Sequence, residues 1–125
     1  MKLTFTTLPD EYAIVRLPHD AALPDWIGTK GLTSATRADD ELSIVCLTTN
    51  VPAAVVAETG WAALRVDMLA KLDEPGVVMS AITPISTAGL GVFVISTHLR
   101  DYILVRSAEF ERVKNALGIA GHDVL

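Results

Sequence analysis

Two rhythms of apolar and polar residues alternate along the chain. Residues 12–17 (YAIVRL), 91–97, 102–106 and the run LSIVCL at 42–47 are short, rich in Val, Ile and Leu, and bounded by turn residues, as strands are. Between them the period lengthens: Val78, Ile82 and Ile85 fall on one face of a predicted helix over 76–88. Phe110, Val113 and Leu117 do the same after Ser107, which suits an N-cap, in a helix predicted to end near Gly118 or Gly121. Residues 61–70 read as a further strand and 122–125 as a short edge strand. The second half is therefore β-α-β-β-α-β.

The first half repeats that plan. SATRADDELSIV (34–45) lies over VISTHLRDYILV (94–105) at an offset of 60 positions, each reading strand, polar tip ending in an acid, strand. Upstream, 24–27 suits a short helical turn; downstream, 51–57 is predicted to be a short apolar helix, and Gly60-Trp61 opens the closing strand. A β-α-β-β-α-β unit forms an antiparallel sheet with both helices on one face, so the other face needs cover. One such copy is marginal alone. The expectation is α+β: two tandem ferredoxin-like units, 1–62 (with an N-terminal strand) and 63–125, in a homodimer that covers faces and edges.

Composition sharpens this picture. The 125 residues are 50% hydrophobic, 20% charged and only 6% aromatic, so the core must be aliphatic, as in a sheet covered by helices. The formal net charge is -5 and the ten Lys and Arg are scattered, leaving no basic stripe to track phosphates, so nucleic acid is not an expected partner. MKLTFTTLPDEY lacks the apolar core of a signal peptide, and no run of about 18 apolar residues exists to span a bilayer, so the chain is expected in the cytoplasm with no membrane partner. The single cysteine, Cys46, makes no intrachain disulfide and reads as a small core residue.

Candidate chemistry gathers at two places. In KLDEPGV (71–77) the acids before Pro75 suit a helix N-terminus, with Asp73 capping and Glu74 pointing into a cleft, while the free amides after Gly76 suit a carboxylate. In STHLRD (96–101) the tip of the second hairpin crowds Thr97, His98 and Asp101. Glu74 and Asp101 together would supply two carboxylates for an ammonium or guanidinium group. A solvated turn with Arg100 and Asp101 exposed satisfies the same spacing. His98 belongs to no spaced ligand cluster with His19 or His122, there is no G-x-S-x-G elbow, and AGLGV at 88–92 lacks the third glycine of a dinucleotide fingerprint. No metal, cofactor or enzyme activity is expected.

These residues resemble the ACT-domain family. TRADDELSIVC and GVFVISTHLRDYILV carry the likeness, which runs nearly from Tyr12 to Val124 and is strongest to small tandem-ACT proteins similar to arginine sensors and to aspartate kinase regulatory regions. The resemblance implies amino-acid binding at an interface between ACT units rather than catalysis. It places Glu74 and Asp101 on the cationic end of a ligand such as arginine, with Thr97 and the backbone of Gly76 and Val77 near its amino and carboxylate groups. His98 stands where the sensors have an aromatic ring and would cover the ligand while making the site pH-sensitive. Lys71 stands where they have a glycine, and would fold over the pocket to pair with Glu74. The other implied role is a ligand-free interaction module that docks on a protein partner.

Overall fold

The apolar alternation of the second half becomes one face of a sheet. In the computed structural model, which describes all residues from Met1 to Leu125, strands β5 (Glu58–Val66) and β7 (Asp101–Arg106) pair, and β6 (Phe93–Ser96) pairs antiparallel with β7. On the other side of β5 lies β1 (Thr4–Thr7), antiparallel to it, followed by the two-residue strand β8 (Asp123–Val124), parallel to β1. Phe5, Leu64, Val66, Ile103 and Val105 lie on one face of this sheet and are fully buried. They meet Val77, Ala81 and Ile85 of helix α1 (Val77–Thr87) and Val113 and Leu117 of helix α2 (Phe110–Ile119). Four-residue spacing confines each helix to one buried stripe. Each of the larger side chains, Val, Leu, Ile or Phe, contributes about 1.5–3 kcal/mol of hydrophobic burial.

These elements form one compact unit, Met1–Leu8 with Ala62–Leu125, which we call the composite unit; Pro9–Trp61 form a second, inserted in the chain between its two pieces. The first eight residues thus belong with the later segment rather than with 9–62. Their strand β1 stands between β5 and β8, a place that a four-stranded β-α-β-β-α-β sheet would leave to β5 and β8 as direct neighbours.

His122 explains how α1 tolerates a proline in its interior. Pro84 has no N–H, so the Ser80 carbonyl, one turn back, loses its helical donor. His122 Nε2 supplies the missing bond, donating to Ser80 O at 3.0 Å, while its Nδ1 accepts from the Leu3 N–H at 2.9 Å. Both ring nitrogens are used, which fixes the neutral tautomer with the proton on Nε2. The ring is 7% exposed and meets Phe5 edge-on, with centroids 5.7 Å apart. One side chain thereby joins the N-terminal strand, α1 and the chain end.

The inserted unit runs in the same order with smaller parts. Strands β2 (Tyr12–Leu17), β3 (Ser34–Ala38) and β4 (Glu41–Leu47) form antiparallel pairs β3–β4 and β4–β2, and β2 pairs with the start of β5. The short helical turn expected over 24–27 forms as a 3-10 turn, Asp25–Ile27, and is tied to a second one, Thr48–Asn50, by Asn50 Nδ2 donating to Ile27 O at 3.0 Å. The apolar helix predicted over 51–57 does not form. Val51, ahead of Pro52, is extended (φ -77, ψ 124), the conformation a following proline imposes. Its apolar residues still do a covering job: Val51, Val55, Ala57, Trp26 and Ile27 pack on Val15, Leu42, Ile44 and Cys46. Cys46 is buried as expected, and burial pushes its thiol pKa up, which leaves it unreactive.

Three further boundaries shift for local reasons. Gly60 does not end a turn before β5 but sits inside the strand at φ 82, where the register against Tyr12 and Ile14 slips, as a glycine bulge does. Strand β5 stops at Val66 rather than near residue 70. Ser107 makes no capping bond; Ser107–Glu109 form a 3-10 turn that leads into α2. No helix is long and apolar enough to cross a membrane.

Candidate ligand-binding site

The chain leaves β5 at Val66 and turns at once around Asp67. Asp67 Oδ2 accepts the Thr6 hydroxyl, Oδ1 accepts Arg65 Nε at 2.6 Å, and the Asp67 N–H donates to Thr4 O at 2.8 Å. Partial burial pushes its carboxyl up, but the Thr6 and Arg65 hydrogen bonds and the charges of Arg65 and Arg100 outweigh that and hold its pKa below the ordinary value. This fixed corner starts the loop that carries Lys71 and Glu74 to α1.

The opposite wall is the tip of the β6–β7 hairpin. Ser96 pairs with Asp101 across the ladder, and its hydroxyl donates to Asp101 Oδ1 at 2.6 Å. Thr97 then locks the turn: its N–H and its hydroxyl both donate to Arg100 O, at 3.0 and 2.9 Å, and the Arg100 N–H donates back to Thr97 Oγ1 at 3.3 Å. His98 and Leu99 are left exposed at the tip.

Loop and tip enclose a cleft of about 130 Å³. Of the expected site residues, Glu74, Val77, Thr97, His98 and Asp101 line it together, although they lie on two segments distant in sequence. Gly76 does not. It takes φ 90 in the turn before α1 and lines a separate groove with Met79, Ser80 and His122, so its amide is not part of the cleft. Neither acid caps the helix: Gly76 is the N-cap, no side chain bonds there, and Pro75 lies ahead of the first turn rather than in it. The Glu74 carboxylate instead accepts the Lys71 N–H in a long 3.4 Å contact. Lys71 lines the cleft but is exposed and forms no ion pair with Glu74.

The solvated-turn alternative is not what forms, since Arg100 and Asp101 are both half-buried. Met68, Ala70, Leu72, Val78, Leu99 and Arg100 complete the lining and were not singled out from sequence as site residues. For Arg100 a signal existed: it flanks the strand-end acid in the same tip. The apolar loop members gave none, because a loop has no period to mark its inner side, and Val78 lies on the helical stripe expected to face the core. The cleft offers two carboxylates, two cations and two hydroxyls, with no group of His, Cys, Asp and Glu that would hold a metal. Such a mixed set suits a small zwitterion better than a single ion.

A family model described as ACT domain matches residues 56–118, half of the chain. The chain belongs to the ACT-domain family. A second model, for an N-terminal domain, matches residues 10–54, close to the inserted unit. A crystal structure of a protein from Agobacterium tumefaciens is 41% identical over 100% of this ACT protein and 93% of that chain, with a TM-score of 0.94. A Vibrio cholerae protein of unknown function, described as a possible transport protein, is 16% identical over 95% of this chain and 90% of its own, with a TM-score of 0.76. The regulatory subunit of aspartate kinase from Thermus thermophilus shares the fold at 7% identity, over 88% of this chain and 91% of that one, with a TM-score of 0.60. None of the functionally curated proteins matches the sequence.

Proposed function

We propose that this ACT protein is a cytoplasmic, non-enzymatic regulatory protein built from two tandem ACT-type units, and that it binds an amino acid in the cleft between the Lys71–Glu74 loop and the β6–β7 tip. The observation that carries the reading is the meeting of Glu74, Thr97, His98 and Asp101 on the walls of one cleft. Two carboxylates favour a ligand with a cationic end, so arginine and other cationic amino acids are the first candidates. At about 130 Å³ the cleft is smaller than the roughly 300–1,000 Å³ usual for ligand sites, so a homodimer in which a second copy completes the enclosure fits the reading. Regulation then follows from differential affinity: a ligand that bridges two arrangements of units favours whichever binds it better.

The test is thermal unfolding against the twenty amino acids at millimolar concentration. A ligand at about one hundred times its dissociation constant adds about 2.7 kcal/mol, a shift of several degrees. Asp101→Ala is expected to abolish the shift caused by the best ligand while the protein stays folded; an undiminished shift removes Asp101 from the site. A flat panel favours the second reading, a ligand-free module that docks on a protein partner, for which the small cleft and the unpaired Lys71 speak.

A further inference from the structure

Arg100 is the member of the cleft whose chemistry the carboxylates do not use. Its side chain is half-buried, lines the cleft, and has a buried Nε with no hydrogen-bond partner. A guanidinium does not shed its proton, so a buried N–H donor of this kind stays a donor waiting for an acceptor. Its charge acts on Asp67, whose two oxygens accept from Thr6 and Arg65 and form no hydrogen bond with Arg100 Nε. Asp101, the next residue, has Oδ1 occupied by the Ser96 hydroxyl. Meanwhile the Arg100 backbone is held on both its N–H and its carbonyl by Thr97. The result is a positioned cation that lines a small cleft with a buried donor for which the protein supplies no acceptor.

We propose that Arg100 is the carboxylate anchor of the cleft, so that a ligand enters with its carboxylate on the guanidinium and its ammonium group toward Glu74 and Asp101. This rests on the amino-acid reading above and narrows it: the site requires a free carboxylate and discriminates against amines that lack one. Arginine suits the task because its planar fork matches a carboxylate in two parallel bonds, which a lysine such as the exposed Lys71 does not reproduce. Thr97 acts through Arg100 as a positioning residue.

The experiment is nitrogen-edited NMR of the intact protein, following the Arg100 Nε–Hε resonance, assigned by its disappearance in Arg100→Gln. The probes are propionate, propylammonium, L-arginine and agmatine, the last being arginine without its carboxylate. Saturable movement of the Arg100 signal with propionate and L-arginine but not with propylammonium, and binding of agmatine at least tenfold weaker than that of L-arginine, is the expected result. Arg100→Gln should erase that tenfold preference, and Arg100→Lys, checked for an unchanged amide spectrum, should retain only part of it. If propionate moves Arg100 while every amino acid is silent, the anchor stands and the amino-acid reading fails. If L-arginine binds with the Arg100 signal unmoved, or nothing moves that signal at all, the anchor is wrong.

Discussion

The composite and inserted units follow one order of elements and cover their sheets in two ways. In the composite unit two α-helices press Ala81, Ile85, Val113 and Leu117 onto β1, β5 and β7. In the inserted unit 3-10 turns and an irregular, turn-containing segment press Trp26, Ile27, Val51 and Val55 onto β2 and β4. The segments that cover the inserted sheet are punctuated by Pro18, Pro24, Gly28, Gly31 and Pro52, and a helix cannot run through that spacing. A sheet face needs apolar cover, and a helix is one way to provide it. Strand order can therefore persist where helices do not.

The sharpest way to break the comparison is to remove one covering side chain from each unit. Ile85→Ala, in the close-packed helix layer, is expected to cost about 2–5 kcal/mol. Val55→Ala, in a half-buried surface turn closed by its N–H on Pro52 O and able to settle into the gap, is expected to cost about 1 kcal/mol. Chemical denaturation of both variants measures this, and equal losses would mean that the irregular cover is packed as tightly as the helical one.

Next in size is His122→Ala. It strands the Leu3 N–H and the Ser80 carbonyl, each costing about 1–3 kcal/mol if unsatisfied, so a loss of about 3 kcal/mol is expected. Adding Pro84→Ala should recover part of it, because residue 84 then supplies its own N–H to Ser80 O. No recovery would show that the ring's packing on Phe5, rather than its bonds, carries the effect.

A smaller effect concerns pH. Because the Asp67 pKa is lowered in the folded protein, its contribution is fully present above the ordinary carboxylate value of about 3.9 and is lost as pH falls through the lower folded value. Asp67→Asn should reduce stability by about 1 kcal/mol at neutral pH and flatten the acid limb of the stability curve. An unchanged acid limb would assign the titration to other carboxylates.

Most strands and the two long helices were legible because burial imposes a period: Tyr12 to Leu17 and Val77 to Thr87 fall within the spans it marks, although the buried stripe of α1 is Val77, Ala81 and Ile85 rather than Val78, Ile82 and Ile85. The meeting of Glu74 with Thr97 and Asp101 was legible through the family resemblance and the repeat, not through spacing. Three things had no sequence-level mark. Strand β1 is four residues whose partner lies some sixty positions away, and its Thr-rich pattern does not announce pairing. The loss of helix over 51–57 followed from a competition between apolar cover and one proline. The role of His122 depends on Pro84, and only the folded chain brings that carbonyl to the ring.

The proposed ligand site is the cleft of the composite unit and not a surface of the inserted unit. It is tested most directly by an amide NMR titration of the whole protein with the amino acid that stands out in the thermal panel. The expected result is shifts concentrated in residues 68–78 and 96–101, abolished by Asp101→Ala. Shifts concentrated instead in residues 9–61, or persisting unchanged in Asp101→Ala, would contradict it.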